Sequence, residues 1–589
     1  MHALAALALT ALAAAGLLGL GEGLGGRSAG DRWVRGWTAV WWSVALIAQL
    51  AGPRPAVWAG LLILAGGLWR AWGVARQRPR AALLFGAALA AGAPLWLAPP
   101  YFYDALVYHL GLPWTWLANG SFATVPHNLF SHFPMAAATV YLLPVALGVP
   151  EAAAGLHWAT FVIALVALAR LAGRLGAGRD RWVAPALMLA CWHGTWIASV
   201  AAADQLVVLG VVLMADHLVA RDEPARERVL GAGLAFGLAI AAKYTAAIPA
   251  AAVLAVGWLG SASLAWAAAG IGVAASSFWW VRNLLTTGNP FFPLLWALVG
   301  GRGWSAADDE RYLALVREGV GGLASVPAGL VHLVAPPDGL GWWALAALPL
   351  ALLALFGDNG ARRERRLVAL ALAVAVAGWL VTSQTTRYAL PLAALLAALA
   401  AAGLGQFGRR PARLVRALLG VTVALGAVNL AAFVFGVLGF HRLWSGAQSA
   451  EAWRHAVTVN DPVPAYRRCD ALLPQNARIL VVGEGRSWGC PRPHQVSSPY
   501  DGQLVQTVVE SSPTAAAAAQ RLHAAGFTHL LINWGEVARL GGPGYRVLRW
   551  RSPDAEARWR TLLARFTRPV VREGDVEVRV LDPTAPGGA

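Results

Sequence analysis

The sequence predicts a mainly α, polytopic membrane protein with a small C-terminal α/β domain. Three observations carry that prediction. Hydrophobic residues make up 58% of the 589-residue chain, charged residues only 13%, and the mean hydropathy is +0.55; a soluble fold cannot cover that much apolar surface. The apolar runs are rich in Ala, Leu and Val and do not alternate. In lipid, where backbone groups must be satisfied internally, that pattern selects helices over a barrel. From about residue 441 the composition turns mixed, with short strand-like runs and capped helices.

The candidate spans are 3–20, 37–51, 56–70, 81–98, 153–172, 182–200, 203–220, 229–242, 245–260, 262–281, 340–357, 367–383, 388–404 and 414–439. Several are shorter than the ~20 residues a crossing needs, so the expected number of transmembrane helices is about 11–14. No Lys or Arg precedes the apolar residues 2–20, which therefore read as a retained first helix rather than a cleaved signal.

The net charge is +17. The arginines fall between apolar runs (Arg362, Arg363, Arg365, Arg366; Arg409, Arg410, Arg413, Arg416), which is the positive-inside pattern and not a nucleic-acid surface. The basic loops 21–36, 70–80, 173–181, 221–228, 358–366 and 405–416 are expected in the cytoplasm. The loop 99–152, the stretch 282–339, the turn 384–387 and everything beyond 441 then face outward. The apolar run 136–149 ("AAATVYLLPVALGV") is short. If it crossed, every later basic loop would lie on the wrong side, so it reads as a re-entrant or interfacial helix. The expected organisation is a membrane domain over 1–440 and an extracytoplasmic domain over 441–589, in a multi-pass protein of the cytoplasmic (inner) membrane.

In the C-terminal domain, "ARILVVGEG" (477–485), "THLLINW" (528–534) and "DVEVRVLD" (575–582) read as strands. The segments 512–527 and 552–566 open with Ser-Pro and read as capped helices. Cys469 and Cys490 are candidates to pair in an oxidising compartment. "VVGEGRSWG" (481–489) is a candidate ligand loop, but it lacks the G-x-G-x-x-G spacing of a nucleotide site.

The chemistry-bearing residues gather in the outward loops. In "PPYFYDALVYHLGLPWTWLANGSF" (99–122) a double proline suits a helix start. A helix over 102–117 places Asp104 in its first turn, where the dipole favours an anion. Tyr108 follows at i+4, His109 sits to one side, and Trp114 and Trp116 suit the headgroup layer. The functional reading of Asp104 is a general base or metal ligand; the plainer reading is a helix N-terminal charge. "PHNLFSHFP" (126–134) adds His127, Asn128 and His132. Asp204 begins a span; acids in spans are costly and usually functional, although one at a span end can face water. A divalent cation held by Asp104 and Asp204 is the one metal reading, without a recognisable ligand spacing. Lys243, the single lysine among 47 basic residues, Arg282 (followed by Asn283) and Arg387 (followed by Tyr388) lie on the side that should be poor in cations. Together they suit a lipid-linked phosphate, which arginine grips through a fork and lysine as a point charge; snorkelling to bulk lipid phosphates is the alternative.

In order along the chain, "YDALVYHLGLPWTWL", "HFP", "ADQL", "KYT", "WWVRNLLTTGNPFFP" and "TRYALP" resemble bacterial members of the GT-C superfamily of membrane glycosyltransferases, relatives of the aminoarabinose transferases and protein O-mannosyltransferases. The resemblance runs over about residues 80–405. It implies a GT-C fold and an inverting transferase that takes a sugar from a polyprenyl-phosphate donor to a lipid, glycan or protein acceptor. It implies Asp104 as catalytic base with His109 positioning the acceptor or the carboxylate. It also implies Arg282, Arg387, Lys243, Tyr108, His132, Asn283 and Tyr388 around the substrates. Many members carry an Asp-Glu pair in this loop; here Ala105 follows Asp104, which puts the weight on Asp104 alone and weakens a carried-over metal site. A flippase or transporter of a lipid-linked saccharide would use the same outward cations. Against it, polar residues concentrate at one face and no inverted repeat is present. A non-catalytic scaffold is the third reading, with the C-terminal domain either working or packing as a lid.

Overall fold

The computed structural model describes residues 1–317, 320, 322–335, 339–357 and 360–584. Parts of the expected loops 282–339 and 358–366, and the last five residues of the C-terminal domain, lie outside the described residues. Among those described, seven helical stretches are long and apolar enough to cross a membrane: His2–Gly23, Pro53–Gln77, Glu151–Ala190, Ala262–Thr287, Arg362–Thr382, Thr386–Leu404 and Arg410–Val437. Shorter or more polar helices fill the bundle between them, including Ala29–Ala51, Pro79–Trp96, Asp204–Val219 and Ala225–Ala242. Glu151–Ala172, Asp204–Val219 and Thr386–Leu404 are mostly buried, so they lie at the centre of the bundle.

Small residues set how closely these helices approach. A Cβ on Gly36 would lie 1.9 Å from the Leu17 carbonyl, and one on Gly19 would lie 1.9 Å from the Gly67 carbonyl. The first three helices can therefore pack only with glycine at these points. Trp33, Trp37, Trp41 and Trp279 are fully buried here, and Trp41 stacks on Trp279 at 6.0 Å.

One expected span needs correction. The run 182–200 is not one helix but two, Val183–Ala190 and Trp192–Ala198. Cys191 breaks the ladder with an extended ψ of 84°. The nearby Gly194 packs closely on Leu390, where a Cβ would come within 2.9 Å of the leucine side chain. The run 136–149 forms an eleven-residue helix, Ala136–Ala146, carrying Pro144 and buried almost throughout. At about 1.5 Å per residue it is too short to cross.

The C-terminal region carries a five-stranded sheet in the order β2-β1-β3-β5-β4: β1 Ile479–Val482, β2 His494–Val496, β3 His529–Asn533, β4 Thr567–Glu573 and β5 Val576–Leu581. β1 pairs in parallel with β2 and β3; β5 is antiparallel to β3 and β4. Alternate residues feed two cores. Leu480, Val482, Leu530 and Ile532 join Trp559 and Leu562 of the helix Pro553–Phe566. Ile479, Val481 and Leu531 join Tyr466 of the helix Val463–Leu472. Cys469 and Cys490 are both buried free thiols.

Candidate active site

The loop 99–152 leaves the helix Pro79–Trp96 and folds back against the C-terminal sheet. The expected continuous helix over 102–117 is instead a turn of π-helix, Ala105–His109, followed by an α-helix, Gly111–Asn119. The Leu110 N–H reaches back to the Ala105 carbonyl at 2.8 Å. π-turns of this kind recur at functional sites. This one carries Tyr108 and His109, and Asp104 immediately precedes it. The two tryptophans do not sit in a headgroup layer. Trp116 is fully buried, and the Trp114 indole N–H donates to the Cys490 carbonyl at 2.7 Å. The C-terminal region covers this segment, so the surroundings expected to be headgroups are protein.

Asp104 stands at the centre. Its Oδ2 lies 2.6 Å from Arg387 Nη1 and accepts the Tyr108 hydroxyl at 2.7 Å. The Asp104 side chain is 19% exposed and that of Arg387 17%, so the pair is recessed yet open to solvent. Burial pushes the Asp104 carboxyl up; Arg387, Lys243 and the Tyr108 hydroxyl outweigh it and leave the carboxyl below its ordinary value. Burial, then the Asp104 charge, raise Tyr108 well above the ordinary phenol value. His109 is buried, and burial with the nearby Lys243 lowers it to about 3, so its ring is neutral. Among the described residues, neither His109 ring nitrogen has a hydrogen-bond partner.

A second pair lies beside the first. Lys243 follows the helix Ala225–Ala242 in an extended conformation. Its Nζ is 2.9 Å from Asp204 Oδ1 and 4.7 Å from the centre of the Tyr388 ring, over which Arg387 also sits at 5.3 Å. Tyr388 is thus the floor between the two cations. Asp204 opens its helix, and the adjoining Gln205 N–H donates to His157, which ties that helix start to Glu151–Ala172.

Arg282 does not join the other two cations. It is buried, its guanidinium donates to the Phe122 carbonyl at 2.8 Å and the Ser131 carbonyl at 3.3 Å, and it lies over the Phe122 ring. Asn283 likewise donates to the His132 carbonyl at 2.8 Å and to the Tyr244 hydroxyl. These two residues of the helix Ala262–Thr287 strut the loop that carries Asp104. The His132 ring packs on Phe292 at 4.9 Å and is not placed at the carboxylate. His127 and Asn128 bond the C-terminal region, to the Gly502 and Val496 carbonyls.

The donor set around Asp104 and Asp204 does not suit a divalent cation. Each carboxylate already faces a fixed positive side chain, and among the described residues no third ligand joins them. One His/Asp/Glu grouping with ligand-like spacing does occur among the described residues: Asp216, His217 and Glu223. There the imidazole bonds both Asp31 and Glu223, and Arg170 and Arg174 neutralise Asp216. It is a buried ion network joining three helices. Asp216, His217 and Glu223 are close along the chain, but sequence reading missed the network because Asp31, Arg170 and Arg174, which complete it, come from distant segments.

No protein-family model matches the chain, and no curated protein matches it. Solved structures do. ArnT from Cupriavidus metallidurans, bound to undecaprenyl phosphate, aligns at a TM-score of 0.53 with 13% identity, covering 86% of this chain and 99% of that one. Arabinofuranosyltransferase AftD from Mycobacteria aligns at 0.40 with 16% identity, over 85% of this chain and 41% of that one. The Archaeoglobus fulgidus oligosaccharyltransferase aligns at 0.42 with 13% identity, over 76% and 69%. This chain is a multi-pass membrane protein with the GT-C fold.

Proposed function

We propose that this GT-C-fold chain is a membrane glycosyltransferase that moves a sugar from a polyprenyl-phosphate donor to an envelope acceptor, with inversion at the anomeric carbon. The observation that carries the reading is Asp104: an ionised, recessed, partly exposed carboxylate with Arg387 and Lys243 beside it. The ArnT structure of like fold holds undecaprenyl phosphate, which supports a polyprenyl phosphate as the carrier. The basic loops lie at the other ends of the helices, which supports an outward-facing site on the cytoplasmic membrane, with the C-terminal domain (441–589) also outside.

In this reading Asp104 removes the proton from the acceptor hydroxyl as its oxygen attacks the anomeric carbon. The bond to the lipid phosphate breaks on the opposite side, and the phosphate leaves as an anion without needing an acid. Arg387 and Lys243 stabilise its growing charge. Neutral His109 is unsuited to general acid work; its role in this reading is to position the acceptor or the carboxylate. A single displacement inverts the configuration.

The test is transfer of radiolabelled sugar from a panel of polyprenyl-phosphate pentoses and hexoses to envelope membranes, in wild type and Asp104→Asn at equal expression. Label transferred by wild type and lost in the variant supports the reading. Equal transfer by both removes Asp104 from the mechanism.

A further inference from the structure

The C-terminal sheet has a crevice of the kind in which such sheets hold ligands. In parallel α/β sheets, ligands bind beyond the carboxyl ends of the strands, where the chain leaves one strand for one side and its neighbour for the other. Here β1 runs on to β2 at one side of it, and the chain then returns to place β3 at the other. The carboxyl ends of β1 and β3 carry the loop Gly483–Trp488 and the helix Trp534–Leu540. Between them sits a buried charge network. Arg486 grips both Glu484 oxygens, at 2.7 and 2.6 Å, and the carbonyls of Val459 and Asn460. Glu484 also accepts from Asn533, and Glu536 holds Arg539 by two bonds. Glu484, Arg486 and Glu536 are essentially inaccessible.

What fills this crevice is a side chain of the membrane region. The Tyr103 ring lies between the two guanidiniums, 5.3 Å from Arg486 and 5.4 Å from Arg539. Its hydroxyl is buried without a hydrogen-bond partner among the described residues, so the contact rests on the ring and the cations. Tyr103 is the residue before Asp104. On the other side of Asp104 the same loop makes a second hold, the Trp488 N–H donating to the Leu106 carbonyl at 3.3 Å. Gly111 permits this closeness: a Cβ there would come 2.4 Å from the Leu106 carbonyl and 2.9 Å from Ser487 Oγ. A buried ion network is weak evidence for stability, and a site on the membrane region needs such a brace because loops alone hold geometry poorly.

We propose that the crevice at the carboxyl ends of β1 and β3 is a socket for Tyr103, and that Tyr103, Arg486 and Arg539 are positioning residues that fix the turn bearing Asp104. The inference rests on the reading of Asp104 as the base. The C-terminal region is then part of the catalytic apparatus without touching substrate through these residues. The groups facing Asp104 itself are Arg387, Lys243 and His109, with the Tyr108 and Tyr500 hydroxyls; those facing Tyr103 are Glu484, Glu536, Arg486 and Arg539.

The test uses the full chain in detergent. Amide hydrogen exchange is followed across residues 102–111 in wild type, Tyr103→Leu, Arg486→Met and Tyr103→Phe, with Arg539→Gln as the variant that leaves the buried network's core intact. Exchange there is expected to quicken about tenfold in Tyr103→Leu and Arg486→Met, less in Arg539→Gln, and to return to wild type in Tyr103→Phe, while Glu151–Ala172 is unaffected. In sugar transfer, Tyr103→Leu should lose about a hundredfold in kcat with KM for the donor little changed. Its acid limb should move to higher pH as Asp104 drifts from Arg387, and Tyr103→Phe should restore both. Unchanged exchange over 102–111 in Tyr103→Leu and Arg539→Gln overturns the socket. Quickened exchange with an unmoved acid limb overturns the positioning role of these residues toward Asp104. If those variants respond in exchange but Asp104→Asn transfers sugar normally, the socket stands as structure and the catalytic reading fails instead.

Discussion

Arg387 Nη1 lies 2.6 Å from Asp104 Oδ2, the same oxygen that accepts the Tyr108 hydroxyl. In the proposed mechanism Arg387, the group proposed for the donor phosphate, is also the neighbour that most favours the ionised form of Asp104. A phosphate drawing on Arg387 would then free the oxygen proposed to take the acceptor proton, which would couple donor binding to release of the base.

Replacing that guanidinium should show both effects. Burial alone raises the Asp104 carboxyl, and the Arg387 charge opposes it more strongly than any other neighbour does. In wild type the carboxyl sits below its ordinary value, so activity stays level from neutral pH through the ordinary carboxylate range and is lost only as pH falls further. In Arg387→Gln the strongest charge opposing burial is gone, so the carboxyl rises and the acid limb moves to higher pH. The rate at neutral pH should fall about 10²–10³-fold, the scale of losing one preorganised charge donor. A pH–rate profile of sugar transfer checks this; an unshifted limb would separate Arg387 from the ionisation of Asp104.

Lys243 and Asp204 form the more deeply buried pair, at 13% and 4% side-chain exposure. Asp204→Asn leaves the lysine charge without its partner and should destabilise by about 3–5 kcal/mol. Lys243→Met with Asp204→Asn together should recover much of the stability and none of the activity. Thermal unfolding in detergent, read beside transfer, checks the difference between a structural pair and a phosphate ligand.

Arg282 is expected to behave as a strut. Arg282→Leu strands the buried Phe122 and Ser131 carbonyls and should lower stability by about 2–6 kcal/mol, about 1–3 per carbonyl, with KM for the donor unchanged in whatever protein remains folded. Normal stability with a raised donor KM would return Arg282 to the phosphate site.

His494 joins the C-terminal region to the loop 99–152. Its backbone exchanges two bonds with Asn119, and its ring meets the Thr115 hydroxyl at 3.0 Å. Burial lowers it from 6.5 to about 4, so the folded state holds it neutral while the unfolded chain takes up a proton. Its stabilisation is fully present above 6.5 and is lost as pH falls from 6.5 to 4, up to about 3 kcal/mol. Unfolding temperature should drop across that window, and His494→Gln should flatten the drop.

Much of this was legible in the sequence because it is written in one dimension. Hydropathy identifies lipid as the solvent, and the residues around Asp104, Lys243 and Arg387 stand out as polar groups in apolar surroundings. The strands within 477–485 and 528–534 were readable as short buried apolar runs, and 575–582 from local alternation, since neighbours along a strand decide its faces. Which cation meets which carboxylate was not readable. Three cations at one depth look equivalent in sequence, yet Arg387 and Lys243 converge on Tyr388 while Arg282 turns into the loop's carbonyls. That choice depends on how helices from distant segments pack. The same holds for Trp114 and Trp116. Sequence marks them as amphipathic aromatics fit for a membrane interface; Trp116 is instead buried and Trp114 bonds the C-terminal region, because the loop 99–152 and that region meet only once both have folded.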